Sequence, residues 1–338
     1  GLSALNAGYA RCCEAAGVGA WRHAMVKRKS LPWAPNCVPD MRRQWCNALD
    51  QMVERYSAQA LSPPAAGTPP SRRLQQLKAQ LATQMEITTA ESQAIRDAEL
   101  YWVARNMVDI AVDAAASLPE WTPALVTPCP NGVLCWAKPA GAVPYGPTPT
   151  ATVEIPWDAV WWWTRPDGML QMSPSSRFTT HPELIAPFEV STPLWAAHTI
   201  VLDPRQPRTA EANGTEDAHP FISVVGAAWL LMAQPGVTET RAITDTAPPA
   251  RTAGAAAATP GTRPQVTIVE LRRPTRPAHQ PQARSDRQFS RRWWVGGHWR
   301  QQACGPNFSE RQPKWIAPYI KGPQGKPLTG DRVHVWRR

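Results

Sequence analysis

No run of about 18 uncharged apolar residues occurs in this 338-residue chain, so no membrane-spanning helix is expected. The nearest candidate, Phe221–Ala233 ("FISVVGAAWLLMA"), is too short and reads as a buried core helix. The first residues lack a basic region followed by an apolar stretch and a cleavage site, so no secretory signal is expected. The seven cysteines, Cys12, Cys13, Cys37, Cys46, Cys129, Cys135 and Cys304, form no C-x-x-C pair. Their odd count, without a signal, points to reduced thiols in a cytoplasmic protein rather than a disulfide scaffold. Cys129, Cys135, Cys304 and His298 are spaced too widely for a structural zinc knuckle, so neither metal nor cofactor is expected. The P-loop, the dinucleotide glycine fingerprint, G-x-S-x-G and H-E-x-x-H are all missing. With those signatures gone, the chain reads as a binding protein rather than an enzyme.

Acidic residues are scarce in one place only. Residues 263–338 hold 16 Lys and Arg against 4 Asp and Glu, while the first 262 residues hold 20 against 22. The whole net charge of +10 therefore originates in the last quarter of the chain. Codon bias would spread basic residues evenly. A localised excess is the electrostatic footprint of a segment that binds polyanions. Phe and Tyr number five each, against 17 Trp, and several of those Trp lie in the basic segment.

The pattern of the chain predicts an α+β fold: a helical N-terminal part, an antiparallel sheet body with an aromatic hairpin, and a small basic β-rich C-terminal module. The divisions are residues 1–61 for the helical segment, 71–243 for the α+β body, 244–264 for a flexible linker and 265–338 for the basic Trp-rich module. A helix is expected over Asp40–Leu61, then a Pro-rich loop over 62–71, a helix over Ser71–Ile87 and a long helix over Thr89–Leu118. Leu100, Val103, Met107 and Ile110 supply the core stripe of that last helix. Strands are expected at 132–138 and 151–155, and "AVWWWTRPDGMLQMS" (159–173) reads as a hairpin turning at Arg165–Gly168. The sheet continues through 193–203, and a helix over Asp217–Gln234 stops at Pro235-Gly236. Val266–Leu271 is a strand, 272–287 is loop-like, and "HVW" (334–336) completes a small sheet.

The stretch "RRWWVGGHWRQQACGPNFSERQPKWIAPYIKG" (291–322) carries the candidate site. Strand alternation puts Trp293, Val295 and Trp299 on one face and Arg292, Trp294, His298 and Arg300 on the other. Gly296-Gly297 is a candidate bulge that would swap faces beyond it. The second set mixes cations with an indole and an imidazole, which suits phosphate contact and base stacking. Lys314–Lys321 ("KWIAPYIK") places Trp315, Tyr319 and Lys321 on one side, with Pro318 confining it to a sheet edge. The candidate nucleic-acid-binding set is Arg291, Arg292, Trp294, His298, Arg300, Lys314, Trp315, Tyr319 and Lys321. No catalytic residue is assigned.

Gly297-His298-Trp299, preceded by arginines and followed by the Trp-bearing "KWIAP", resembles the end of a family of plasmid- and phage-borne proteins typified by a type V-A anti-CRISPR inhibitor. A looser likeness covers "AELYWVARNMVDIAVD" as a helix before the strand "VLCWAK", "VWWWTRPDG" as an aromatic hairpin and "GAAWLLMAQPG" as a late apolar helix. It spans roughly residues 70–338. Arg300 stands where that family tends to carry a further His. The resemblance implies a non-enzymatic suppressor that lowers production of a target protein by recognising its nascent chain, with loss of the encoding mRNA. The basic module would touch messenger or ribosomal RNA and the α+β body a peptide. The residues themselves leave two other readings open, a DNA-binding regulator and an RNase centred on His298.

Overall fold

The computed structural model describes residues 33–61, 72–145, 153–177, 194–196, 199–209, 219–244, 265–272, 290–323 and 325–329. The loop expected over 62–71 and "HVW" lie outside the described residues, as do the linker beyond Thr244 and the Pro/Arg-rich stretch beyond Arg272. The fold is α+β with helices leading, as the pattern predicts. Its contacts divide it into two compact units. One comprises Gly1–Val103, Cys129–Pro204 and Arg241–Ile268, the other Ala104–Pro128, Arg205–Thr240 and Val269–Arg338.

In the first unit, α1 (Val38–Leu61) packs on α2 (Arg72–Arg96). Pro39 and Asp40 lie in the first turn of α1, where a missing N–H costs nothing and a carboxylate meets the positive end of the helix dipole. Asp50 ties the helices together, accepting from Ser92 Oγ at 2.7 Å and pairing with Arg96.

The long helix expected over Thr89–Leu118 is not one helix. Thr89 lies inside α2, Glu99–Val103 forms strand β1, and α3 covers only Arg105–Ala115. The apolar stripe is therefore shared between a strand and a helix. "ELYWV" carries β-forming residues, and four of its five positions are buried. Ladder pairing and burial outweigh a spacing that fits either element.

β1 pairs in parallel with β2 (Gly132–Trp136), Leu100 facing Val133 and Trp102 facing Cys135. The connection between them carries α3 and the short α4 (Pro123–Val126), the length of crossover that a parallel pair needs. The body sheet is accordingly mixed rather than wholly antiparallel. β3 (Ala142–Tyr145) and β4 (Val153–Pro156) pair as a separate ribbon. β5 (Ala159–Thr164) and β6 (Leu170–Arg177) form the expected aromatic hairpin. Gly168 donates to Arg165 O at 2.9 Å and sits at φ 79°, the left-handed conformation that glycine adopts without strain. β7 (Leu194–Ala196) and β8 (Ile200–Leu202) both pair with β6. With β9 (Thr238–Thr244) and β10 (Gln265–Leu271) the strand order is β7-β6-β5-β2-β1-β10-β9.

Trp161, Trp162 and Trp163 are all buried. They are sheet core, alternating between faces, and offer no stacking platform. Trp161 shares a core with Trp102, Val133, Cys135, Met41 and Ile95. Within that core lies a carboxylate. Glu91 of α2 accepts from Trp161 Nε1 and Gln171 Nε2, each at 3.1 Å. Burial raises its carboxyl from the usual 4.5 to about 6, against the opposing pull of those two donors and of Arg165.

In the second unit, α3 packs against α5 (His219–Met232). Apolar residues surround α5 on nearly every side, the signature of a helix buried in a core. Trp121 meets Trp229 edge-on at 6.2 Å. Among the described residues, no helix is long and apolar enough to cross a membrane.

Glu91 gives stability a pH dependence. The folded state binds this proton more tightly than the unfolded chain, so the stabilisation is full below about 4.5 and is lost as pH rises through about 6. Glu91→Gln should abolish that loss. Urea denaturation of both proteins should favour the variant increasingly between pH 4.5 and 7, by about 2 kcal/mol at most.

Candidate functional site

All nine candidate residues lie in the second unit. β12 (His298–Cys304) and β13 (Glu310–Ile316) form a hairpin in which His298 faces Ile316, Trp299 faces Trp315, Arg300 faces Lys314 and Gln302 faces Gln312. Directly opposed residues project to the same side, and sides alternate along each strand. One face therefore carries His298, Arg300, Lys314 and Ile316. The other carries Trp299 and Trp315.

The tryptophan face is the inner one. Trp315 is 1% exposed and Trp299 is half-buried, their rings edge to face at 5.3 Å. Trp299 Nε1 donates to Ala114 O at 2.9 Å, a carbonyl in the last turn of α3 that also accepts from the backbone N–H of Ala116 and, at 3.4 Å, of Ser117. The backbone N–H of Trp315 donates to Gln234 Oε1 at 2.8 Å, just beyond the end of α5. Gln234 Nε2 in turn donates to Leu230 O at 3.1 Å and Pro313 O at 3.4 Å. Two helix ends thus hold the basic hairpin in place. Gly297 makes this possible: a Cβ there would stand 2.3 Å from the Trp315 ring and 3.2 Å from Asp113 Oδ2.

Arg300 and Lys314 are exposed on the outer face, and among the described residues neither makes an ion pair. Like charges directly opposed across two strands repel. His298 is also exposed, with Nδ1 3.1 Å from Gly296 O, to which it donates in the Nδ1-protonated tautomer.

The remaining candidates belong to a different sheet. β11 (Arg292–Val295) lies between β14 (Tyr319–Lys321) and β15 (Leu328–Thr329). Trp294 faces Ile320, and both are about half-exposed, at 47% and 48%. Arg292 shares the Trp294 side by alternation, and its Nε donates to Lys326 O at 2.8 Å. Trp293, Val295, Tyr319 and Lys321 occupy the opposite side, Lys321 Nζ standing 5.9 Å from the Trp293 ring centre. Arg291 is exposed just before β11.

These placements correct two expectations. Arg292, Trp294, His298 and Arg300 do not line one strand, because Gly296-Gly297 ends β11 and β12 pairs elsewhere. Trp315 does not share a surface with Tyr319 and Lys321: its ring is core, and Pro318, lacking an N–H, separates β13 from β14. Sequence reasoning missed Gln234 and Ile320. Nothing local marks Gln234 as a clamp, since its partner is 81 residues away.

Four of the described cysteines sit in apolar surroundings. Cys37, Cys46, Cys129 and Cys135 are free, buried thiols, and burial pushes Cys46 and Cys129 up to about 11, far from the reactive thiolate. Among the described residues no group of three or more His, Cys, Asp or Glu could hold a metal ion.

Trp315→Ala should destabilise the protein by about 3–5 kcal/mol in urea denaturation, the cost of emptying a buried aromatic site. Gly297→Ala should also destabilise, whereas Gly296→Ala, with nothing within 4 Å of the added carbon, should change stability little. Searches against known protein families, curated proteins and solved structures find no match to this chain.

Proposed function

We propose that this chain is a non-enzymatic RNA-binding protein of the cytoplasm that suppresses production of a target protein, in the manner of the mobile-element inhibitors its Gly297-His298-Trp299 segment resembles. The observation that carries the reading is the opposed pair Arg300–Lys314, exposed, without an ion-pair partner among the described residues, and braced from behind by two anchored tryptophans. Two cations side by side on one face of a ladder, with no carboxylate paired to either among the described residues, are best stabilised by an external anion. A phosphate chain supplies anions at a repeat that a strand can follow.

The distribution of charge supports the same conclusion. Residues 290–329 contain seven Lys and Arg against one acid, Glu310, which lies at the loop end of the hairpin. The free thiols support a reducing compartment. In this reading the basic unit meets messenger or ribosomal RNA, and the helical and sheet unit receives a nascent polypeptide.

The test is competition binding of short single-stranded RNA and duplex DNA to the full chain at two salt concentrations. RNA should win. Arg300→Ala combined with Lys314→Ala should weaken binding at low salt and flatten the dependence of log K on log salt by roughly 1 to 1.5, about 0.7 per lost phosphate contact. An unchanged slope removes the pair from the interface, and a preference for duplex makes the protein a DNA-binding regulator. The exposed imbalance of cations around His298 keeps one enzymatic reading alive: RNA cleavage by the wild type, lost in His298→Gln with binding retained, would establish an RNase.

A further inference from the structure

The small sheet β14-β11-β15 presents a feature that phosphate binding does not explain. Trp294 and Ile320 stand directly opposite each other on one side of it, each about half-exposed. On the other side of the same strands the equivalent pair is quenched, because Lys321 covers the face of Trp293. An indole and a branched alkyl group side by side make a flat apolar ledge, and burying it in water-free contact is favourable. The ledge lies in a cationic neighbourhood: Arg292 projects from the same side of β11, Arg291 precedes it, and Lys326 follows β14. An apolar partner protein of ordinary composition gains nothing from so many cations, whereas an unpaired nucleotide brings a flat ring and a negative charge together.

We propose that Trp294, flanked by Ile320, is a stacking platform for an unpaired base, so that the ligand of this unit is single-stranded RNA rather than a duplex or a generic polyanion. This rests on the proposed RNA-binding reading and divides its labour. Arg300 and Lys314 on the hairpin hold phosphates, and the ledge on the separate three-stranded sheet selects for exposed base faces. A duplex satisfies only the first, because its bases are stacked on one another. Stacking on an aromatic side chain is sequence-tolerant, since every base has a π face, so selectivity for strandedness should exceed selectivity for sequence.

Three fluorescein-labelled probes test this with the full chain: a short single-stranded RNA, its fully paired duplex, and a phosphodiester strand of equal length carrying abasic sugars. The single strand should bind roughly tenfold or more tightly than the abasic strand, the loss expected for one base–aromatic contact. Trp294→Ala should erase that preference while leaving the salt dependence of binding unchanged, and Trp294→Phe should restore most of it. Circular dichroism and binding of the abasic strand confirm that each variant is folded. Equal affinity of the wild type for single-stranded and abasic probes overturns the platform while leaving the phosphate-binding reading intact. Failure to bind any of the three overturns both. A shift from oligomer to monomer in Trp294→Ala, without change in probe preference, assigns the ledge to self-association and overturns the proposal.

Discussion

Two tryptophans that bury their rings against two helix ends fix the placement of the basic hairpin. Trp299 and Trp315 face each other across β12 and β13, so both must turn to the same side. Trp299 donates its indole N–H to Ala114 O in the last turn of α3, and Gln234 receives the backbone N–H of Trp315 just past α5. Once these contacts are made, the opposite face has no choice of direction. Arg300 and Lys314 emerge together into solvent, next to His298. One packing arrangement buries the two tryptophans against the helix ends, and the cationic surface is its by-product.

That arrangement has an electrostatic consequence. A flexible basic tail can separate its charges, but a paired ladder cannot. Fixing Arg300 against Lys314 costs some stability in the absence of a ligand, and it reduces the ordering needed when an anion binds. Nearby, Gly296-Gly297 lets the chain leave one sheet and enter another within two residues, with Gly297 small enough to pass the Trp315 ring. The basic stretch therefore displays cations and aromatic groups on two separate small sheets rather than along one ribbon. The division of phosphate and base contact proposed above grows from that break.

The first unit is organised around a different polar problem. Glu91 sits in the core of tryptophans and thiols because Trp161 and Gln171 each bring it a donor. Deleting one member would leave the others unsatisfied in a low-dielectric site, so the cluster ties α2 to the β5–β6 hairpin with a specificity that apolar contact alone would not provide.

The α+β class, α1, the aromatic hairpin with its glycine turn, α5 and β10 were all legible in the chain, because local periodicity, turn chemistry and composition act within a few residues. The concentration of positive charge was equally plain, since it requires only counting. What eluded sequence reasoning depends on partners far away in the chain. Leu100 to Val103 fit a helical stripe by spacing, yet β2 and burial on both sides made them a strand. Trp315 and Tyr319 looked like neighbours on one surface, until pairing with β12 buried the first and pairing with β11 exposed the second. The opposition of Arg300 to Lys314 is a matter of hairpin register, and the clamp at Gln234 is a matter of which helix end the hairpin meets. Sequence alone determined that this unit would be basic, aromatic and β-rich; tertiary packing alone decided which of those charges and rings would face the solvent, because a side chain's direction is settled by the backbone groups that pair with its own.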